Sequence, residues 1–111
     1  MLDLSPDEQI WLDEYRRGLR ERHAGVILRM VIYGSKARGD AHPDSDLDVL
    51  IIVRNDAGGL KRMLRDIGYD LAATSWAVPS ILAYTQDEWR HRKEKRFSFQ
   101  RAVERDAVAV L

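Results

Sequence analysis

The chain has no cysteine, and this absence excludes two kinds of site from its 111 residues. Neither a disulfide framework nor a metal centre with thiolate ligands can form. Runs of consecutive apolar residues are also short, and none approaches the ~20 residues that a membrane-spanning helix needs. The N-terminal MLDLSPDEQ carries acidic side chains and no basic ones, unlike the start of a secretory signal peptide. We therefore expect a cytoplasmic protein with no membrane partner.

A net charge is missing as well, because 18 basic side chains balance 18 acidic ones. A protein that coats nucleic acid usually carries a clear positive excess, so we expect no direct nucleic-acid partner. The charges are nevertheless segregated. Residues 40–56 hold five Asp against the single Arg54, whereas residues 90–101 are mostly basic. The length predicts one domain over residues 1–111.

Hydrophobic spacing predicts alternating helices and strands. In chain order these are a helix capped at Ser5 and running to about Arg22, a strand over 26–33, a short helix from Ser35, a strand over 47–53, a helix over 58–75, a strand over 78–84, a helix from Thr85 to about Lys93, a helix over 97–105 and a short strand within 107–111. The order predicts an α/β (α+β) fold with a small mixed β-sheet of three to four strands flanked by helices.

A glycine–serine turn follows the first predicted strand. Gly34 lets the backbone approach an anion, and a short helix that begins at Ser35 presents free N–H groups and a positive dipole end. We expect Lys36 to be a solvated surface charge. Arg38 is expected to pair with a phosphate or with Asp44. Taken alone, the turn would be better explained as an ordinary strand-to-helix turn with a serine cap.

Two aspartates, Asp46 and Asp48, stand at the start of the second predicted strand, with ten residues between Ser35 and Asp46. Positions i and i+2 of a strand point to one face, so both carboxylates lie on the same side. Mg²⁺ prefers oxygen ligands and often takes one or two carboxylates together with phosphates and water. We therefore predict Mg²⁺ at Asp46 and Asp48 and a nucleoside triphosphate between that ion and the turn.

The stretch YGSKARGDAHPDSDLDVLIIV resembles the signature of the DNA polymerase β-like nucleotidyltransferases, and within them it is similar to the minimal nucleotidyltransferases. The matching residues are Gly34, Ser35, Arg38, Gly39, Asp44, Ser45, Asp46 and Asp48. The order of the predicted elements also fits the polymerase β palm-like core of that family. The resemblance implies that Asp46 and Asp48 are catalytic metal ligands and that Gly34, Ser35 and Arg38 bind the nucleotide.

The resemblance also implies an activity and a partner. Members transfer a nucleoside monophosphate to a hydroxyl, and the expected donor here is ATP with Mg²⁺. Minimal nucleotidyltransferases are often encoded beside a HEPN-domain toxin. The implied acceptor is therefore a tyrosine of such a toxin, and the chain would act as its antitoxin.

One feature of the family pattern is missing. Catalytically complete members carry a third carboxylate on the strand beside the Asp-x-Asp strand, but that strand reads AVPSILAY here. Two alternatives to the enzyme therefore stay open. One is a catalytically weak or inactive antitoxin that acts by binding, with the basic segment 90–101 as partner surface. The other is a small-molecule nucleotidyltransferase of the antibiotic-modifying kind.

Overall fold

The computed structural model of the protein describes residues 2–42, 44–95 and 97–111. Helices and strands alternate along most of this length. In chain order the elements are α1 (Pro6–Arg22), β1 (Ile27–Tyr33), α2 (Ser35–Arg38), β2 (Leu47–Val53), α3 (Lys61–Ala72), β3 (Pro79–Thr85), α4 (Gln86–Glu94), α5 (Ser98–Asp106) and β4 (Val108–Ala109), with a 3₁₀ helix over Asn55–Leu60 before α3.

The strands of the described residues form one mixed sheet in the order β3-β2-β1-β4. β1 pairs antiparallel with β2 and with β4, whereas β2 and β3 run parallel, with α3 in the crossover between them. The expected mixed sheet flanked by helices is therefore confirmed. β3 lies at the edge of the sheet, where Pro79 is tolerated as the first residue because proline cannot donate to the ladder.

The two faces of the sheet are covered by different helices. One face carries alternate residues of β2 from Leu47 to Val53, which lie in a core shared with α1 and α3. The other face carries Leu50 and Ile52, which pack against side chains of α4 and α5. This alternation agrees with the expectation that Asp48 shares a face with Leu50 and Ile52, since side chains two apart on a strand point the same way.

Helix starts follow the capping signals in the sequence. The Ser5 hydroxyl accepts from the backbone N–H of Glu8, and the Glu8 carboxylate accepts from the Ser5 N–H, which completes a capping box at α1. Thr85 and Glu88 repeat the same exchange at α4. Both predicted capping boxes are therefore confirmed.

The predicted helix over 58–75 is shorter than expected. The α-helix covers Lys61–Ala72, and the 3₁₀ helix over Asn55–Leu60 replaces its first turn and part of the expected loop. The pair Gly58–Gly59 explains the difference, because adjacent glycines weaken an α-helix. Among the described residues, no helix is long and apolar enough to cross a membrane.

Candidate active site

The glycine of the GS turn lies against the second aspartate. Gly34 has φ 74° and ψ −154°, a conformation that essentially only glycine adopts. It follows Tyr33, which pairs directly with Asp48 across the antiparallel ladder. A Cβ atom at Gly34 would collide with Oδ2 of Asp48. The fold therefore brings the turn and the carboxylate into contact, and glycine is the residue that permits it.

The helix that follows the turn is one turn long. The backbone N–H groups of Ala37 and Arg38 both donate to the carbonyl of Gly34 over 3.1 Å. The N–H groups of Ser35 and Lys36 precede these first donors, so the helix itself cannot satisfy them. The start of α2 thus has the free donors that the sequence predicts at this turn.

Asp46 directly precedes β2, and Asp48 is the second residue of that strand. Asp46 is exposed and Asp48 is partly buried, while Leu47 between them is fully buried on the opposite face. The backbone N–H of Leu47 donates to the carbonyl of Val78 over 3.0 Å and fixes this entry to the segment that leads into β3. Asp48 thus lies beside the GS turn, and the assignment of Asp46 and Asp48 as metal ligands stays a prediction.

The electrostatics of the pair favour a cation. Burial raises the pKa of Asp48, and the negative charge of Asp46 raises it further, while the nearby Arg38 opposes the rise. Within the described residues, neither carboxylate forms a side-chain hydrogen bond or an ion pair. A divalent cation would stabilise the ionised form of both groups.

The donor set fits magnesium held together with a substrate. The described residues contain no cluster of three or more His, Cys, Asp or Glu that could hold a metal by itself. Two carboxylates suit Mg²⁺, which completes its octahedral shell with phosphate oxygens and water. Asp46 and Asp48 are therefore the residues that would hold it.

Two further residues lie in the same row of the sheet as Asp48. Tyr33 pairs with it from β1 and Ser80 pairs with it from β3. Burial raises the pKa of the Tyr33 hydroxyl, and the charge of Asp48 adds to the rise, so the phenol stays protonated. Ser80 stands beside Asp48 on the strand where complete family members carry their third carboxylate. The strand register identifies these two neighbours of Asp48, which the sequence alone does not.

Arg38 has carboxylate partners other than the expected one. Its guanidinium donates to Asp40 over 3.1 Å and to Asp106 over 3.2 Å, not to Asp44. Asp106 ends α5, so this contact ties the helix over the second face of the sheet to the GS turn. The assignment of Arg38 to the nucleotide stays a prediction.

The expectation that Lys36 is a solvated surface charge is wrong. Its side chain is buried, and Nζ donates to Oε1 of Glu8 over 3.1 Å, with about one tenth of each side chain exposed. The backbone carbonyl of Lys36 also accepts from the N–H of Asp3 over 2.8 Å. Asp3 near the start of the chain and Glu8 of α1 therefore both bind Lys36 and hold α2 in place.

The loop between α2 and β2 is organised by Ser45. Its hydroxyl accepts from the backbone N–H of His42 over 2.9 Å, as expected for a loop shaped by side-chain-to-backbone bonds. His42 and Asp44 are exposed. Pro43 lies outside the described residues.

Comparisons with known proteins agree with this geometry. The sequence profile of the nucleotidyltransferase domain family matches residues 12–107. A stretch of 46 residues is 35% identical to a protein of Methanocaldococcus jannaschii described as a "putative protein adenylyltransferase", and it covers 41% of this chain and 46% of that protein. The chain thus matches less than half of this relative's length.

A solved structure shows the same fold. The crystal structure of a "putative nucleotidyltransferase" from Sulfolobus solfataricus superposes with a TM-score of 0.53 at 17% identity, and the match covers 93% of this chain and 81% of that one. At this identity the likeness bears on the fold alone. Since the family profile covers most of the chain, the protein belongs to the nucleotidyltransferase domain family.

Proposed function

We propose that the protein transfers AMP from MgATP to a hydroxyl group of a partner protein. Family membership supports nucleotidyl transfer, and the description of the archaeal relative supports a protein acceptor. The observation that carries the proposal is the contact between the Gly34 turn and the carboxylate of Asp48. It brings donors for phosphate and ligands for a cation to one point.

The residues of the chain position the triphosphate and its charge. The N–H groups of Ser35 and Lys36 would hold phosphate oxygens, and Asp46 and Asp48 would hold Mg²⁺. When bound, the ion neutralises negative charge on those oxygens. The acceptor oxygen attacks the α-phosphorus, the bond from that phosphorus to the β-phosphate oxygen breaks, and pyrophosphate leaves with the electron pair. The acceptor proton passes to water or to a phosphate oxygen.

The proton step has no carboxylate on β3 to assist it. Ser80 occupies the position beside Asp48, and a serine hydroxyl is a weak base. Phosphoryl transfer through a loose transition state depends more on positioning and charge neutralisation than on a strong base, so transfer does not require one. A partner that delivers a well-placed hydroxyl and excludes water would supply part of what is missing.

Ser80 also favours a second candidate function. A chain without a base at this position can silence a partner by contact alone, as an antitoxin with little or no catalysis. The resemblance to minimal nucleotidyltransferases supports a HEPN-domain ribonuclease as partner in either case. In the first case the acceptor is a tyrosine of that toxin.

The test uses the full chain, labelled ATP, Mg²⁺ and a HEPN-domain protein encoded beside it. We expect added AMP on a tyrosine of that protein by mass spectrometry, and none with the Asp46→Asn/Asp48→Asn variant. A tight complex that silences the ribonuclease without added mass would select the binding function instead. Efficient labelling of an aminoglycoside or another small alcohol would contradict the protein acceptor.

A further inference from the structure

A cavity of about 460 Å³ lies beside Asp46. Its size falls in the range of about 300–1,000 Å³ that small-molecule sites occupy. The wall is formed by Ser5, Glu8, Lys36, Asp44, Ser45, Asp46, Trp76 and Val78. A predicted metal ligand, a buried lysine and an exposed indole therefore line the same cavity.

Trp76 is the most exposed large apolar side chain of the described residues, at 87%. Of the two residues that follow it, Ala77 is buried and Val78 is 61% exposed. The N–H of Ala77 donates to the Ser75 hydroxyl over 3.1 Å, and the Val78 carbonyl accepts from Leu47. The indole is thus presented outward on a backbone anchored to the strand of the aspartates.

The other two tryptophans differ from Trp76, because both are buried and hydrogen-bonded within the fold. Trp11 is buried, donates to the carbonyl of Gly68 over 2.9 Å and lies 5.1 Å from the ring of Tyr15. Trp89 is buried too and donates to Glu104 over 2.8 Å. Within the described residues Trp76 makes no such contact. An indole left in water at the wall of a cavity is suited to a ligand.

We infer that Trp76 is the stacking platform for the base of the nucleotide. The inference rests on the proposed function, which puts the triphosphate at Asp46 and the GS turn. Asp46 and Lys36, which follows that turn, also line the cavity, so we place the nucleoside there. Every base has a π-face that an indole can cover. Tyr33, which pairs with Asp48, is already engaged, since its ring meets that of Phe99 edge-on at 5.7 Å.

Stacking predicts a particular order of affinities. A purine covers more of an indole than a pyrimidine does, so ATP and GTP should bind more tightly than CTP and UTP. Discrimination between ATP and GTP should be small, because stacking does not read the hydrogen-bonding edge of a base.

The experiment compares the affinity of ATP with that of inorganic tripolyphosphate, both with Mg²⁺, by isothermal titration. We expect Trp76→Ala to weaken ATP binding by about 5- to 100-fold, from the usual worth of base–aromatic stacking, and to leave tripolyphosphate binding unchanged. Trp76→Phe should keep most of the affinity. Phe97→Ala removes an exposed ring outside the cavity and serves as the matched control. ATP should also quench tryptophan fluorescence in the wild type but not in Trp76→Phe.

The outcomes distinguish the stacking site at Trp76 from the proposed triphosphate site on which it depends. Unchanged ATP affinity in Trp76→Ala, or equal affinity of the wild type for ATP and tripolyphosphate, would overturn the stacking site and leave the triphosphate site standing. Failure of the wild type to bind either ligand would overturn both.

Discussion

The glutamates Glu88 and Glu104 and the aspartate Asp48 have pKa values shifted in opposite directions. Glu88 accepts two bonds from Lys61, at 2.8 and 3.1 Å, and Glu104 accepts two from Arg29 over the same distances. These bonds hold the pKa of each glutamate below its usual value. Asp48, in contrast, has its pKa raised by burial and by the adjacent Asp46.

The difference indicates where a bound cation would have to balance negative charge of the protein. Glu104 joins α5 to β1 and Glu88 joins α4 to α3, and each is compensated by a base of the same chain. Asp48 is partly buried near Asp46 and, among the described residues, has no base in an ion pair with it, which costs folding energy. Such an arrangement is typical of a site whose cation arrives with the substrate.

The largest effect on stability is expected at the buried pair of Lys36 and Glu8. Lys36→Met leaves the Glu8 charge buried without its base, so the free energy of unfolding should fall by about 3 kcal/mol. The double variant Glu8→Gln/Lys36→Met should regain a good part of the loss. Urea denaturation measures both, with the exposed Lys95→Met as control. A loss below about 1 kcal/mol for Lys36→Met would show that the pair is not effectively buried.

Gly34→Ala should have the next largest effect. The substitution forces a side chain into a positive-φ conformation and against the Asp48 carboxylate, at a cost of about 2 kcal/mol. Binding of MgATP should be lost as well, because the turn must move away from the aspartates. Gly59→Ala is the matched control, since a Cβ there meets nothing within 4 Å. Equal stability of the two variants would contradict the close contact.

Glu104→Gln should lower the free energy of unfolding by about 1 kcal/mol at pH 7. The expected loss is small because about a third of each partner's side chain is exposed, and solvent screens the ion pair. The pKa of Glu104 is lowered in the folded state, so its contribution is present above the unfolded pKa and is lost as the pH falls through the folded one. The gap to the wild type should therefore close at low pH. Denaturation at pH 7 and pH 3 checks this, and a constant gap would refute the ionic origin.

Asp48→Asn should have the smallest effect and the opposite sign. The pKa of Asp48 is raised in the folded state, so ionisation disfavours folding at pH 7, and this cost disappears as the pH falls below the unfolded pKa. Without metal or nucleotide, the variant should melt about 2 °C higher than the wild type at pH 7 and at the same temperature at pH 3. A lower melting temperature at pH 7 would show that the carboxylate is already compensated.

Local signals in the sequence predict most of the fold. Both capping boxes depend on residues three apart, and the bounds of β2 follow from an uninterrupted apolar run that begins at Leu47. The end of β1 at the GS turn and the start of β2 at the aspartates were also predictable, because Gly34 interrupts one apolar run and Asp46 precedes the next.

Contacts between distant segments could not be read from the sequence. Glu8 and Lys36 are 28 positions apart, and the sequence shows only that Glu8 can cap a helix. Arg38 and Asp106 are 68 apart. The place of Ser80 beside Asp48 depends on the register of parallel strands, which no local pattern specifies. Nor does the sequence reveal that Trp76 is exposed, since tryptophan is apolar enough to belong to a core.

The contrast between compensated and uncompensated acids is tested most directly by isothermal titration with ATP in the presence and absence of Mg²⁺. The wild type should bind ATP more tightly with the ion than without it. The Asp46→Asn/Asp48→Asn variant should lose this gain, whereas Asp66→Asn/Asp70→Asn, which removes two exposed acids of α3, should retain it. An undiminished gain in the Asp46→Asn/Asp48→Asn variant would contradict the assignment of the metal–nucleotide site to this pair.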